Sequence, residues 1–131
     1  MRVIAPLRMD DQGSGRYQSP RGSRKHKGVD WAAAPGSAVL ASEWGCVTKL
    51  GYPYADDLSF RYVEVTDGMK RRWRYFYVQP SVEMGERVCP EDTIGTVQDI
   101  RTRYPGMTPH VHIEILEQDG TPIDPTELSS G

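Results

Sequence analysis

Three histidines, His26, His110 and His112, are all the imidazoles in this chain. Two form His110-Val111-His112, and the third precedes an aspartate in His26-Lys27-Gly28-Val29-Asp30. Side chains alternate along an extended strand, so His110 and His112 share one face about 6–7 Å apart, with Glu114 beside them. Gly28 and Val29 disfavour a helix, and in extended geometry positions 26 and 30 also share a face. Imidazole and carboxylate together suit zinc. Three protein ligands leave a fourth position for water, the arrangement of a catalytic site rather than a closed structural one. Zinc lowers the pKa of a coordinated water to about 7, giving a nucleophile at neutral pH. A histidine left over from coordination can act as a base or an electrostatic stabiliser. Alternating histidines also occur on solvated strand faces, so neither motif is strong alone. Their conjunction uses every histidine in the chain, although spacing does not say which of His110 and His112 would bind the ion.

The elements that must hold these residues read as short strands. Residues 110–116 alternate with Val111, Ile113 and Ile115 on the apolar face. Residues 61–66 alternate as well, with Tyr62, Glu64 and Thr66 opposite Val63 and Val65. Asp67-Gly68 is a turn signal, and 73–78 resumes as a strand, which predicts a hairpin. Further short strands are expected at 28–31, 38–41, 46–50, 85–88 and 93–97, with a loop over 52–59 and one helical turn over 99–103. The polar, Gly-rich stretch after Leu7 reads as a long loop, and Pro122 and Pro125 predict a stiff, irregular tail. The expected fold is mainly β, an antiparallel sheet with long loops around a metal groove. With 131 residues, no repeat and no linker, residues 1–131 are expected to form one domain.

Net charge is −2 and the pI about 5.9, which gives no global attraction to nucleic acid or an anionic membrane. Two basic clusters, Arg21, Arg24, Lys25 and Lys27, then Lys70, Arg71, Arg72 and Arg74, are read first as solvated surface and second as contacts for an anionic polymer. Cys46 and Cys89 show no CxxC pattern and are expected as reduced thiols. The apolar run from Val3 to Leu7 is interrupted by Pro6 and is too short for a signal-peptide core. No segment approaches the length of a membrane span, so the chain is expected to be soluble as made.

At these residues the sequence resembles the lysostaphin/LytM-type zinc endopeptidases, which cut peptide bridges of bacterial peptidoglycan. The resemblance runs through Pro6-Leu7, His26 to Asp30, Gly36 to Ala41, Gly45-Cys46-Val47, Gly85 to Val88, Ile94-Gly95, His110 to Glu114 and Asp124-Pro125. It is closer still to the branch of leukocyte cell-derived chemotaxin 2, through Gly13 to Tyr17, Phe76-Tyr77-Val78 and Tyr104-Pro105-Gly106. That group's disulfide cysteines and secretion signal are missing, so a phage or bacterial member is expected. The resemblance implies a duplicated-hybrid, LytM-like fold. It also implies one Zn2+ ion on His26, Asp30 and His112, with His110 as the catalytic histidine. Glu114 is then a carboxylate placed to orient a metal-bound imidazole.

The peptidases carry a further histidine in a Tyr-x-His motif, and the matching stretch here is Tyr75-Phe76-Tyr77. Tyr77 takes the place of that histidine, where a phenol is a poor base but a fair hydrogen-bond donor to an oxyanion. Gln79 is a weaker substitute. The function implied is a zinc metalloendopeptidase acting on peptidoglycan peptides, as a phage endolysin or virion enzyme. It would be monomeric, made in the cytoplasm and acting in the periplasm or wall after release. The alternative is an inactive, zinc-stabilised binding module of the chemotaxin 2 type.

Overall fold

The computed structural model describes residues 28–123 and the backbone of four short strand segments before them. Those segments are β1 (Met9–Asp10), β2 (Gly13–Ser14), β3 (Pro20–Arg21) and β4 (Arg24–Lys25). They pair antiparallel as β1 with β2 and β3 with β4, so the stretch expected as one loop contains two short ladders. Then follow β5 (Val29–Ala32), β6 (Ala38–Leu40), β7 (Gly45–Gly51), β8 (Tyr62–Asp67) and β9 (Arg72–Phe76). The remaining strands are β10 (Val78–Pro80), β11 (Arg87–Val88), β12 (Thr93–Val97), β13 (His110–Leu116) and β14 (Pro122–Ile123). The single helical turn expected near residue 100 is a 3-10 helix, Ile100–Thr102, whose N-terminus is capped by the Asp99 side chain accepting from Arg101 N–H.

The principal sheet has seven strands in the order β11-β7-β8-β9-β13-β14, with β5 also paired to β13. Every pairing in it is antiparallel. Strand β13 is the hub: β9 covers one edge, while β5 and β14 divide the other. A second sheet, β10-β12-β6, has three strands. Pro122 therefore belongs to a two-residue strand rather than an irregular tail, an edge position where proline's missing N–H is tolerated.

Alternation decides which face packs against the smaller sheet. Val63, Val65, Trp73, Tyr75, Val111, Ile113 and Ile115 form one buried cluster with Val39, Val78, Ile94 and Val97 of the smaller sheet. Removing a fully buried ring such as Trp73 typically costs about 3–5 kcal/mol. The opposite face of the principal sheet carries Glu64, Arg74, Phe76, His110, His112 and Glu114. Among the described residues no helix is long and apolar enough to cross a membrane.

The strand expected over 73–78 is divided. β9 stops at Phe76, Tyr77 adopts a left-handed φ of 68°, and β10 continues in the other sheet. The N–H groups of Tyr77 and Val78 both donate to the Arg61 carbonyl, and Gln98 N–H donates to Tyr77 O. These bonds hold a bulky residue in a backbone region that costs roughly 1–2 kcal/mol. The burial alternation shifts phase at the break: Trp73, Tyr75 and then Val78 enter the same core, with Tyr77 half-buried between them.

Candidate functional site

Register brings the two motifs together. Asp30 of β5 lies directly opposite His112 of β13, and Ala32 opposite His110. The Asp30 carboxylate is buried. Its Oδ1 is 2.6 Å from His112 Nδ1, and its Oδ2 is 3.7 Å from His110 Nε2. On its other side His112 Nε2 is 3.0 Å from Glu114 Oε1, and the Phe76 ring meets the imidazole edge-on at 5.3 Å. Burial works against a charged His112, but its hydrogen bonds to Asp30 and Glu114 outweigh that and raise its pKa to about 8.

His110 is held differently. Its Nδ1 is 2.7 Å from the Thr108 carbonyl. A carbonyl can only accept, so Nδ1 carries a proton, and Nε2 is the nitrogen that faces Asp30. Nothing in the side chain of Thr108 marks this role, since the acceptor is backbone, and sequence inspection misses it.

Tyr77 stands edge-on to His110, with ring centroids 5.2 Å apart. Its hydroxyl is 3.1 Å from that of Tyr54, and the two rings stack at 6.2 Å. Behind them lie Phe60, Ile100 and Met107, a second buried cluster. Arg103 lies over the Tyr54 ring at 3.8 Å and donates through Nε to the Tyr104 hydroxyl at 3.3 Å. That bond lowers the pKa of Tyr104, whereas burial and the neighbouring phenols raise that of Tyr54. Tyr54 and Tyr104 were not among the expected site residues. Gln79, the weaker substitute, is exposed on β10 of the second sheet.

His26 lies outside the described residues, as do Lys27 and the side chains of the rest of the first basic cluster. Among the described residues no group of three metal-type side chains is assembled. The donors in view nevertheless suit a divalent ion. A buried carboxylate and an imidazole are adjacent, and these are ligand types that zinc would take. In the second basic cluster, Arg71 pairs with Asp67 and Arg74 with Glu64, each at 2.8 Å. Two of its four cations are therefore engaged within the sheet. Both cysteines are unpaired thiols.

Comparison with known proteins gives concordant results. The model of Peptidase family M23 matches residues 24–125. Leukocyte cell-derived chemotaxin-2 of Mus musculus is 30% identical over 127 residues, covering 89% of this chain and 74% of its own. The catalytic domain of the antimicrobial peptidase lysostaphin from Staphylococcus simulans superposes with a TM-score of 0.68 at 21% identity, over 92% of this chain and 91% of that one. A mutant catalytic domain of the prophage-encoded M23 protein EnpA from Enterococcus faecalis gives 0.70 at 20% identity, over 94% and 95%. The mainly β, antiparallel architecture expected from the sequence is the fold these structures share.

Proposed function

The chain belongs to peptidase family M23, and we propose that it is a zinc metalloendopeptidase hydrolysing peptide cross-links of bacterial peptidoglycan, with His26, Asp30 and His112 as the ligands. The observation that carries this reading is the meeting of Asp30 with His112 while His110 Nε2 faces the same carboxylate. Zinc, when bound, supplies Lewis acidity toward the scissile carbonyl and an acidified water. Glu114 accepts the Nε2 proton of His112, which leaves Nδ1 as the ligating nitrogen. His110, its Nδ1–H held by Thr108, takes the proton of the attacking water on Nε2 and returns it to the departing amine. Tyr77 donates a hydrogen bond from its phenol to the developing oxyanion. With an unperturbed pKa near 10, a phenol keeps its proton at neutral pH.

A second reading is an inactive, zinc-stabilised binding module. It is favoured by Tyr77 in place of a histidine and by the 30% identity to chemotaxin-2. Purified walls of several chemotypes, incubated with the zinc-loaded protein, discriminate the two. The peptidase releases new amino termini, and release stops with a chelator or in His110→Ala. A protein that binds zinc yet cleaves none of the walls is the binding module. Release from a producing cell by phage lysis, or delivery with a virion, is the accompanying proposal for how the enzyme reaches its substrate.

A further inference from the structure

We propose that Gln98 is a positioning residue for Tyr77: its side-chain amide ties down the segment that holds the Tyr77 backbone, and so fixes the Tyr77 ring beside His110. The catalytic consequence rests on the peptidase reading; the placement does not. Tyr77 sits where the chain leaves the principal sheet for the smaller one, between β9 and β10. Its N–H donates to the Arg61 carbonyl at 2.9 Å, next to the Tyr62–Phe76 rung, and so extends the β8–β9 ladder. Its own carbonyl accepts from Gln98 N–H at 2.9 Å, next to the Val78–Val97 rung, and so extends the β10–β12 ladder. Two ladders thus end on one residue, whose φ is 68°. A tyrosine keeps such a backbone only where its surroundings over-determine it.

The Gln98 side chain supplies the remaining constraint. Its Oε1 accepts from Arg61 N–H at 2.9 Å, and its Nε2 donates to the Ser59 carbonyl at 2.7 Å. Along an extended segment, the C=O of one residue and the N–H two residues on face the same side. One amide therefore stands where the peptide of a neighbouring strand would. Reversing it would set NH2 against an N–H and oxygen against a carbonyl, so its partners fix its orientation. The hydrogen bonds Gln98 Oε1 to Arg61 N–H, Arg61 O to Tyr77 N–H and Tyr77 O to Gln98 N–H close a ring. Gln98 contributes both ends of it, its backbone in the smaller sheet and its side chain against the principal one. From this crossing the Tyr77 ring meets His110 edge-on at 5.2 Å. An ionised glutamate at position 98 could not donate to Ser59, and a methionine would lack the amide altogether.

The test uses the full chain, zinc-loaded, with Gln98→Met, which keeps the length of the side chain and removes its amide. The nuclear Overhauser cross-peak between the Tyr77 and His110 rings weakens in this variant, while cross-peaks along the β9–β13 ladder persist. A Tyr77–His110 cross-peak of unchanged intensity overturns the proposal. Val39→Ala, a core change on β6, is the control for lost stability and keeps the cross-peak. Equal weakening in both variants also overturns the proposal, since lost stability then accounts for it. In turnover on wall peptide, Gln98→Met lowers kcat and kcat/KM together by about tenfold with KM unchanged, the pattern of an interaction made only in the transition state. The same change has no further effect in a Tyr77→Phe background. Equal factors in both backgrounds overturn the positioning role. Should the wild-type protein cleave no wall peptide, the peptidase reading falls, while the cross-peak still decides whether Gln98 places Tyr77.

Discussion

Asp30 and His112, 82 residues apart in sequence, occupy directly opposed positions on the β5–β13 ladder and join their side chains at 2.6 Å. The sheet itself therefore sets the spacing of the two proposed ligands, without a loop between them. A site on paired strands is preorganised, because moving one side chain relative to the other requires shearing the ladder. Metal binding should accordingly stabilise the fold. Zinc-loaded protein is expected to melt higher than chelator-treated protein, with the difference growing with free zinc. In Asp30→Ala the zinc-dependent rise should disappear. Calorimetry across a zinc series checks this, and a melting temperature indifferent to zinc would remove the ligand assignment.

Glu114 supplies a graded version of the same test. Its carboxylate accepts from His112 Nε2 at 3.0 Å. Glu114→Gln weakens that acceptor without removing the hydrogen-bonding group. The expected loss is about 10–100-fold in zinc affinity, read by competition with a chromophoric chelator. An unchanged affinity would make Glu114 a polar strand residue with no part in tuning the metal.

Asp67 governs acid stability from the far end of the β8–β9 hairpin. Burial opposes its ionisation, but Trp73 Nε1, the Arg71 side chain and the N–H groups of Arg71 and Met69 together lower its pKa. A carboxylate with a folded pKa below the unfolded value of about 3.9 stabilises the protein above that pH. The contribution is lost as pH falls through the folded value. Asp67→Asn should therefore cost about 1–3 kcal/mol near neutrality. The gap from wild type should narrow as the pH drops below about 4, measured by urea titration at each pH. A gap independent of pH would assign the role to shape rather than charge.

Much of this architecture is visible in the residues. The alternation of 62–66 and 110–116 separates the residues that enter the core from those on the face that carries the site, because side chains repeat every two residues along a strand. Asp67-Gly68 marks the hairpin, although Asp67 proves to be a buried clamp as well as a turn residue. What sequence does not show is chiefly nonlocal or carried by the backbone. The opposition of Asp30 and His112 depends on register between distant strands. The proton on His110 Nδ1 depends on a carbonyl, which every residue type possesses. Tyr77 continues the aromatic run of its neighbours while its φ turns positive, so the residue types hide the crossing between sheets. Period two treats the two histidines of His110-Val111-His112 alike, and only the register against β5 sets His112 opposite Asp30 and His110 opposite Ala32.

Gly28 offers the sharpest link between packing and the site. It lies two residues before Asp30, against β13, where a Cβ would come within 2.2 Å of the Ile113 carbonyl oxygen and 3.0 Å of the Glu114 side chain. Ile113 O is backbone of the hub strand and cannot swing aside as a side chain could. Gly28→Ala must therefore push β5 away from β13, at an overpacking cost of about 1–3 kcal/mol. The same displacement separates Asp30 from His112, so zinc affinity should fall together with stability. A core substitution of similar cost far from the site, Val39→Ala, provides the comparison: it should lower the melting temperature with zinc affinity preserved. Equal zinc affinities for Gly28→Ala and Val39→Ala, at matched stability, would show that the β5–β13 contact does not set the ligand spacing.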